Sequence, residues 1–215
     1  MSTKTTLTIS VILILLATLA GLLLWNKLPD PMASHWNEYD QVNGYMSRFW
    51  GVFLMPTVTT GMLLLFLIIP SIDPLKANVQ KFRDTFNTFI TLIIAFMIYI
   101  YALSLIWNLG YTGFRMSTAM LPAMGLLFIF VGILISRAKR NFFIGIRTPW
   151  TLSSDAVWDQ THRVGGKLFI AAGVISMLGA FFRDYAFWFI LVPVIGVSLF
   201  SVIYSYILYQ AETKA

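Results

Sequence analysis

Six long apolar runs constrain this chain more than anything else in it, at about Leu7–Asn26, Trp50–Ile69, Phe86–Trp107, Met116–Ile135, Lys167–Phe182 and Ala186–Tyr209. A bilayer core is about 30 Å thick and takes roughly 20 apolar residues of helix to cross. The runs are too long and too continuous for the alternating strands of a barrel. Composition agrees: only 11% of the 215 residues are charged, against about 25% in soluble domains. The expected fold is all-α, a polytopic six-helix transmembrane bundle forming one integral membrane domain over residues 1–215. Residues 1–70 supply the first two spans and 116–209 a C-terminal region. The fifth run is the short one. It spans if Lys167 and Arg183 snorkel outward or if the helix begins earlier, near Val164, and a re-entrant segment is the alternative. Thr18-Leu19-Ala20 loosely resembles a signal-peptide cleavage site. The apolar run continues past it through Trp25 with only Lys4 before it, so an uncleaved first helix is expected.

Orientation follows from where the cations fall. Eleven of the fifteen Lys and Arg lie at the N-terminus, in the 2–3 and 4–5 connections and at the C-terminus; Lys27, Arg48, Arg115 and Arg183 lie on the opposite side. The positive-inside rule then predicts both termini in the cytoplasm. Trp25, Trp50, Trp107 and Trp188 fall where spans meet the other face, as an aromatic belt would place them. Pro56, Pro122 and Pro193 lie inside spans and are expected to bend them. Ala172, Ser176 and Ala180 give the fifth segment one small flank for close helix contact.

Most catalytic chemistries find no residues to use. There is no cysteine, which removes disulfides, thiolate nucleophiles and Cys-ligated metals. The two histidines, His35 and His162, are predicted on opposite membrane faces and cannot share a metal, so no metal or cofactor is expected. No H-E-x-x-H, G-x-S-x-G or phosphate-cradling loop occurs, and no Asp, Glu, Lys, Arg or His sits in the interior of a predicted span, which disfavours a proton-coupled transporter. A non-enzymatic protein is expected. The cation excess reads as membrane orientation rather than nucleic-acid binding, and the bilayer is its first partner. A small-molecule or lipid transporter is the alternative. Its path would run through Thr57, Thr59, Thr60, Asn87, Thr88 and Thr91, which more simply satisfy helix hydrogen bonds.

Two polar loops carry unusual composition. The outer loop, 27–49, contains Pro29 and Pro31, which stiffen the exit from the first helix, and Asn43-Gly44, a tight-turn signal. Between them stand His35, Trp36 and Tyr39, with Asp30, Glu38 and Asp40 making an acidic patch. This reads as a surface for a cationic or amphipathic peptide, or as a structured cap anchored by Trp36. The inner loop, 137–166, holds Thr148-Pro149, a break before a helix, and Ser153 or Ser154 as an N-cap. Val157, Trp158, Thr161 and Val164 then recur at helical spacing, predicting an amphipathic helix along the inner leaflet that ends near Gly165-Gly166. Lys139, Arg140 and Arg147 suit anionic lipid. A connection this long is more often functional than not.

With these loops set out, the chain resembles the SdpI/YfhL family of bacterial peptide-toxin immunity membrane proteins, with a DUF1648-like outer loop and an SdpI-type C-terminal region. Leu28-Pro-Asp-Pro-Met, His35-Trp36-Asn37 and Asn43-Gly44 carry one part of the likeness. Asn141-Phe-Phe-Ile-Gly-Ile-Arg-Thr-Pro-Trp-Thr-Leu-Ser-Ser-Asp-Ala-Val-Trp158, continuing from Thr161 to Lys167, carries the other. The resemblance implies a multi-pass protein of a bacterial (or archaeal) plasma membrane that protects its cell from a secreted peptide toxin. In the best-known type it is also a receptor that holds a cytoplasmic autorepressor at the membrane. The family patterns fall on His35, Trp36, Asn37 and Gly44 outside, as candidates for toxin binding. Inside they fall on Gly145, Arg147, Thr148, Pro149, Trp150, Trp158, His162 and Arg163.

Overall fold

The computed structural model describes residues 1–214, with Arg183 described by its backbone alone. The chain runs α1 (Thr3–Leu24), β1 (Met32–Trp36), β2 (Val42–Met46), α2 (Arg48–Ile72), α3 (Lys76–Gln80), α4 (Arg83–Asn108), α5 (Met116–Arg137), α6 (Pro149–Ser153), α7 (Asp155–Leu178) and α8 (Ala186–Thr213). Six of these helices, α1, α2, α4, α5, α7 and α8, are long and apolar enough to cross a membrane. The six-span bundle expected from the apolar runs is the architecture observed, with a small antiparallel hairpin added. Leu15, Leu19 and Leu23 on α1 and Leu199 and Ile203 on α8 are among the many large apolar side chains exposed on the bundle's outside, as a lipid-facing surface requires.

The helices form two groups. α1, α2 and α4 pack together, α5, α7 and α8 pack together, and α4 against α5 joins them. Consecutive spans run in alternate directions. The hairpin and the connections 109–115 and 179–185 therefore share one end, and both termini, α3 and the 138–154 connection share the other. Trp25, Trp50, Trp107 and Trp188 all lie at the hairpin end. Pro56, Pro122 and Pro193 sit inside α2, α5 and α8, and Pro70 also lies within α2.

Lipid tails are as apolar as leucine, so close van der Waals contact rather than water exclusion holds such helices together. The tightest pair, α5 with α7, is built on glycines. A Cβ on Gly125 would lie 2.5 Å from the Gly173 carbonyl oxygen, and one on Gly173 equally close to that of Gly125. One turn pair further along, Gly132 and Gly166 approach each other's carbonyls in the same way. On the other flank of α7, Ser176 Oγ donates to the Phe189 carbonyl of α8 at 3.1 Å, so the expected small face does serve a helix contact.

The fifth span differs from its sequence reading. Ser154 caps it, accepting from Val157 N, but the helix does not lie apart and end at Gly165-Gly166. It runs unbroken from Asp155 to Leu178, so there is neither a separate amphipathic helix nor a re-entrant segment. Gly165 and Gly166 are both buried, because at Gly166 the backbone meets Ser136 and Gly132 of α5 and at Gly165 it meets Ile146. Contact, not flexibility, is what those glycines supply. The extra length puts His162 in the same continuous helix as the fifth span, near the end that joins the 138–154 connection.

Candidate functional site

At the terminal end, the 138–154 connection folds into a plug. Asn141, fully buried, builds its first turn: Oδ1 accepts from Phe143 N and Ile144 N at 2.9 and 2.6 Å, and Nδ2 donates to the Lys139 and Ile144 carbonyls. Gly145 follows with φ +120°, a conformation open chiefly to glycine, and any Cβ there would run into His162 Nε2. His162 stacks on Trp158 with ring centroids 3.9 Å apart. Its Nδ1 donates to the Trp158 carbonyl at 2.8 Å and its Nε2 accepts from Ile146 N at 3.0 Å, an arrangement that only a neutral imidazole satisfies. Trp158 Nε1 donates to the Ala138 carbonyl at 2.8 Å. Gly145, Trp158 and His162 thus form one packed unit, with Trp158 and His162 buried.

Thr148, Pro149 and Trp150 form a second unit against α8. Thr148 and Thr151 exchange side-chain caps, with Pro149 at the first helical position of α6, where its missing N–H costs nothing. Thr148 Oγ1 lies 3.0 Å from Ser205 Oγ, and Trp150 packs on Tyr206 at 5.0 Å. Ser154 Oγ donates to Glu212 near the end of α8. The plug is also tied to the first helix group: the buried Asp73 carboxylate accepts from Leu75 N and Phe142 N, and Asn78 Nδ2 donates to the Arg140 carbonyl. Arg147 and Arg163 stay exposed, Arg147 donating to the Phe142 carbonyl at 2.8 Å.

At the hairpin end, β1 and β2 pair in antiparallel register with His35 opposite Gly44 and Trp36 opposite Val42. Asn43-Gly44 is therefore not the turn but part of β2. A Cβ at Gly44 would lie 2.8 Å from His35 Cβ, and Asn43 Oδ1 pairs with His35 Nδ1 at 2.5 Å. The turn is Asn37–Gln41: Asn37 Oδ1 accepts from Tyr39 N and Gln41 N, an Asx turn, and Asp40 takes φ +60°. The expected acidic patch is mostly structural. Asp30 Oδ1 accepts from Arg48 N at the start of α2 at 3.1 Å, and Asp40 accepts from Ser117 N and Ser117 Oγ at the start of α5 at 2.8 and 2.6 Å. Neither helix has a side-chain cap of its own, so two hairpin carboxylates satisfy the positive ends of two spans.

The hairpin roofs a groove of about 830 Å³, within the range of small-ligand sites. Trp50 and Leu54 of α2, Ile100 and Ser104 of α4, Met116, Met120 and Met124 of α5, and Phe187 and Trp188 of α8 line it, with Trp36 and Glu38 at the roof. Trp36 packs edge-on against Trp107 at 5.7 Å, and its indole N–H is buried without a partner. His35, Trp36 and Asn37 thus come together with Gly44, and the plug residues lie at the far end of the bundle. α5 alone, with 22 residues, separates the two by about 33 Å.

Residues 137–205 match the SdpI/YfhL protein family, and residues 12–60 match a domain of unknown function, DUF1648. The chain carries the SdpI/YfhL family region. It is 27% identical over 204 residues to the immunity protein SdpI of Bacillus subtilis (strain 168), a likeness covering 94% of this chain and 95% of that one. No solved structure matches it. The SdpI/YfhL region comprises the plug, α7 and most of α8, and the DUF1648 region holds the hairpin with the helix ends that flank it. The resemblance read from the two loops is borne out in both. Six spans together with this likeness make the chain a multi-pass plasma-membrane protein.

Several residues that shape these sites escaped the sequence reading. Asn108, at the end of α4, receives Ala33 N on Oδ1 at 2.8 Å and donates Nδ2 to the Ala33 carbonyl at 3.0 Å, docking β1 as a neighbouring strand would. Asp73 and Asn141 look like ordinary loop polars until burial shows otherwise. The methionines of α5 did leave a signal, since 116, 120 and 124 recur at helical spacing. Five of the six members of the polar cluster named for a transport path are spent locally: Thr59, Thr60, Thr88 and Thr91 each donate to the carbonyl four residues back, and Asn87 holds the N-terminal segment through the Met1 carbonyl and Thr3.

Proposed function

We propose that this chain is an immunity protein, protecting its own cell from a secreted, membrane-active peptide toxin without chemical modification of it. The observation that carries the reading is the groove beneath the hairpin, apolar along its walls and polar at its mouth. The likeness to the immunity protein SdpI along nearly the whole chain supports it. In this reading both termini and the plug face the cytoplasm, because most of the cations lie at that end, and the hairpin faces the side from which the toxin comes. Trp36 is a wall of the binding site; His35, Asn37 and Gly44 act by fixing the hairpin that holds it there.

A finer role belongs to the same proposal. With toxin in the groove, the plug serves as the docking surface for a cytoplasmic autorepressor, which is thereby held away from its operator. Arg147 and Arg163 are the exposed members of the plug motif and would meet that partner. Gly145, Thr148, Pro149, Trp150, Trp158 and His162 hold its shape.

The test is survival of a toxin-sensitive Gram-positive host expressing the chain under a titration of the peptide toxin that SdpI-type immunity proteins counter, with a reporter for the repressed operon. Wild type is expected to raise the tolerated dose. At matched membrane levels, Trp36→Ala should lower it by roughly tenfold, the factor that about 1.4 kcal/mol of lost binding gives. Arg147→Ala should keep protection and lose derepression. A well-inserted wild type that leaves the dose response unmoved would refute the immunity reading.

A further inference from the structure

The groove's own chemistry says more about its occupant. Its walls are apolar, and three of its lining residues are methionines on one face of α5, side chains that adapt to irregular apolar partners. From Met116 to Met124 it runs about 12 Å along the helix at 1.5 Å per residue, less than half of a roughly 30 Å bilayer core. α2 and α8, its side walls, form no packed interface with each other among the described residues. Trp50 and Leu54 on one and Phe187 and Trp188 on the other are exposed, so the groove is open sideways between two lipid-facing helices.

Its charge is equally specific. Among the described residues no Lys or Arg lines it; Glu38 and Asp40 do. Asp40 is committed to the start of α5 through both carboxylate oxygens. Glu38 is exposed at the mouth and has no hydrogen-bond or ion-pair partner among the described residues, so it is the one uncommitted charge of the site. Arg115, next to the lining residue Met116, is engaged by Asp184 at 2.9 Å. Resting on the proposed function of this groove, we infer that its occupant is an amphipathic peptide segment that enters sideways from one leaflet, apolar along its buried length and carrying a Lys or Arg that meets Glu38 at the membrane surface. A cation there gains the free carboxylate, and an anion meets its repulsion.

The test uses the full chain in phosphatidylcholine nanodiscs. The probes are three 14-residue Leu/Ala peptides, capped at both ends, labelled with a neutral dye and differing only in a single Lys, Gln or Glu at the polar end. Anisotropy is read against empty nanodiscs. The Lys peptide is expected to bind at least about threefold more tightly than the Gln peptide and about tenfold more tightly than the Glu peptide, the scale of an interfacial charge pair and its reversal. Glu38→Gln, an exposed substitution, should erase that order while leaving the Gln peptide's binding unchanged. Met120→Trp, which fills the groove, should weaken all three. Equal binding of the three peptides to wild type, an order that survives Glu38→Gln, or binding indifferent to Met120→Trp would overturn the proposal. So would a co-purified lipid, seen by native mass spectrometry, that the Lys peptide fails to displace. A chain that shows the charge order without protecting cells would defeat the immunity reading alone; protection without the order would defeat this inference alone.

Discussion

His162 shows how a residue's role is set by what surrounds it. From sequence it is one of two histidines and a motif position. In the structure its ring lies flat on Trp158, donates through Nδ1 and accepts from Ile146 N through Nε2. Removing it leaves a part-buried N–H unpaired, a loss of about 1–3 kcal/mol before any packing is counted. His162→Ala is therefore expected to lower the thermal unfolding midpoint in detergent clearly. His162→Asn should recover part of the loss if its amide oxygen reaches Ile146 N, and an unchanged midpoint for His162→Ala would refute the bracing role. Asp30 and Asp40 carry the same lesson in reverse. As letters they are acidic surface; in place they cap α2 and α5, and that function depends on which helix ends fold up beside them.

At the level of elements, the hairpin and α7 depart from the simplest reading for one shared reason. Local propensity makes glycine a mark of turns and ends, but at Gly44, Gly165 and Gly166 it marks places where another strand, loop or helix comes too close for a side chain. The α5–α7 seam makes this testable. Gly132→Val or Gly173→Val pushes a side chain onto the facing backbone, which cannot withdraw without separating the helices, and overpacking of this kind costs about 1–3 kcal/mol or more. Both variants should accumulate poorly in membranes and unfold at lower temperature. Gly61→Ala and Gly196→Ala, where a Cβ would meet nothing within 4 Å, should be neutral or stabilising by up to about 1 kcal/mol, because they relieve the helix-interior cost of glycine. Equal behaviour of the seam and control variants in a thermal unfolding series would contradict the packing account.

For the whole molecule, the two helix groups meet along α4 and α5, with the roofed groove at one end of that meeting line and the plug, laced to both groups, at the other. The proposed orientation assigns these ends to opposite compartments, and the cysteine-free sequence is a ready background for checking it. Tyr39→Cys, at an exposed hairpin position, should react with a membrane-impermeant maleimide in intact cells. Lys76→Cys, exposed on α3, should react only after permeabilisation, and the reverse pattern would invert the topology. The number of spans is legible in the chain alone, because the bilayer's thickness converts directly into lengths of apolar helix. The sequence also marked the two loops worth examining, since polar and aromatic residues concentrated between spans stand out against lipid-compatible sequence. That the fifth span begins at Asp155, that Asn37–Gln41 is the turn, that Asp30 and Asp40 are caps with Glu38 left over, and that a groove exists at all emerge only once the chain is folded. Each of those depends on close contacts between segments distant in the chain, and neither hydropathy nor local spacing contains the distance between two helices.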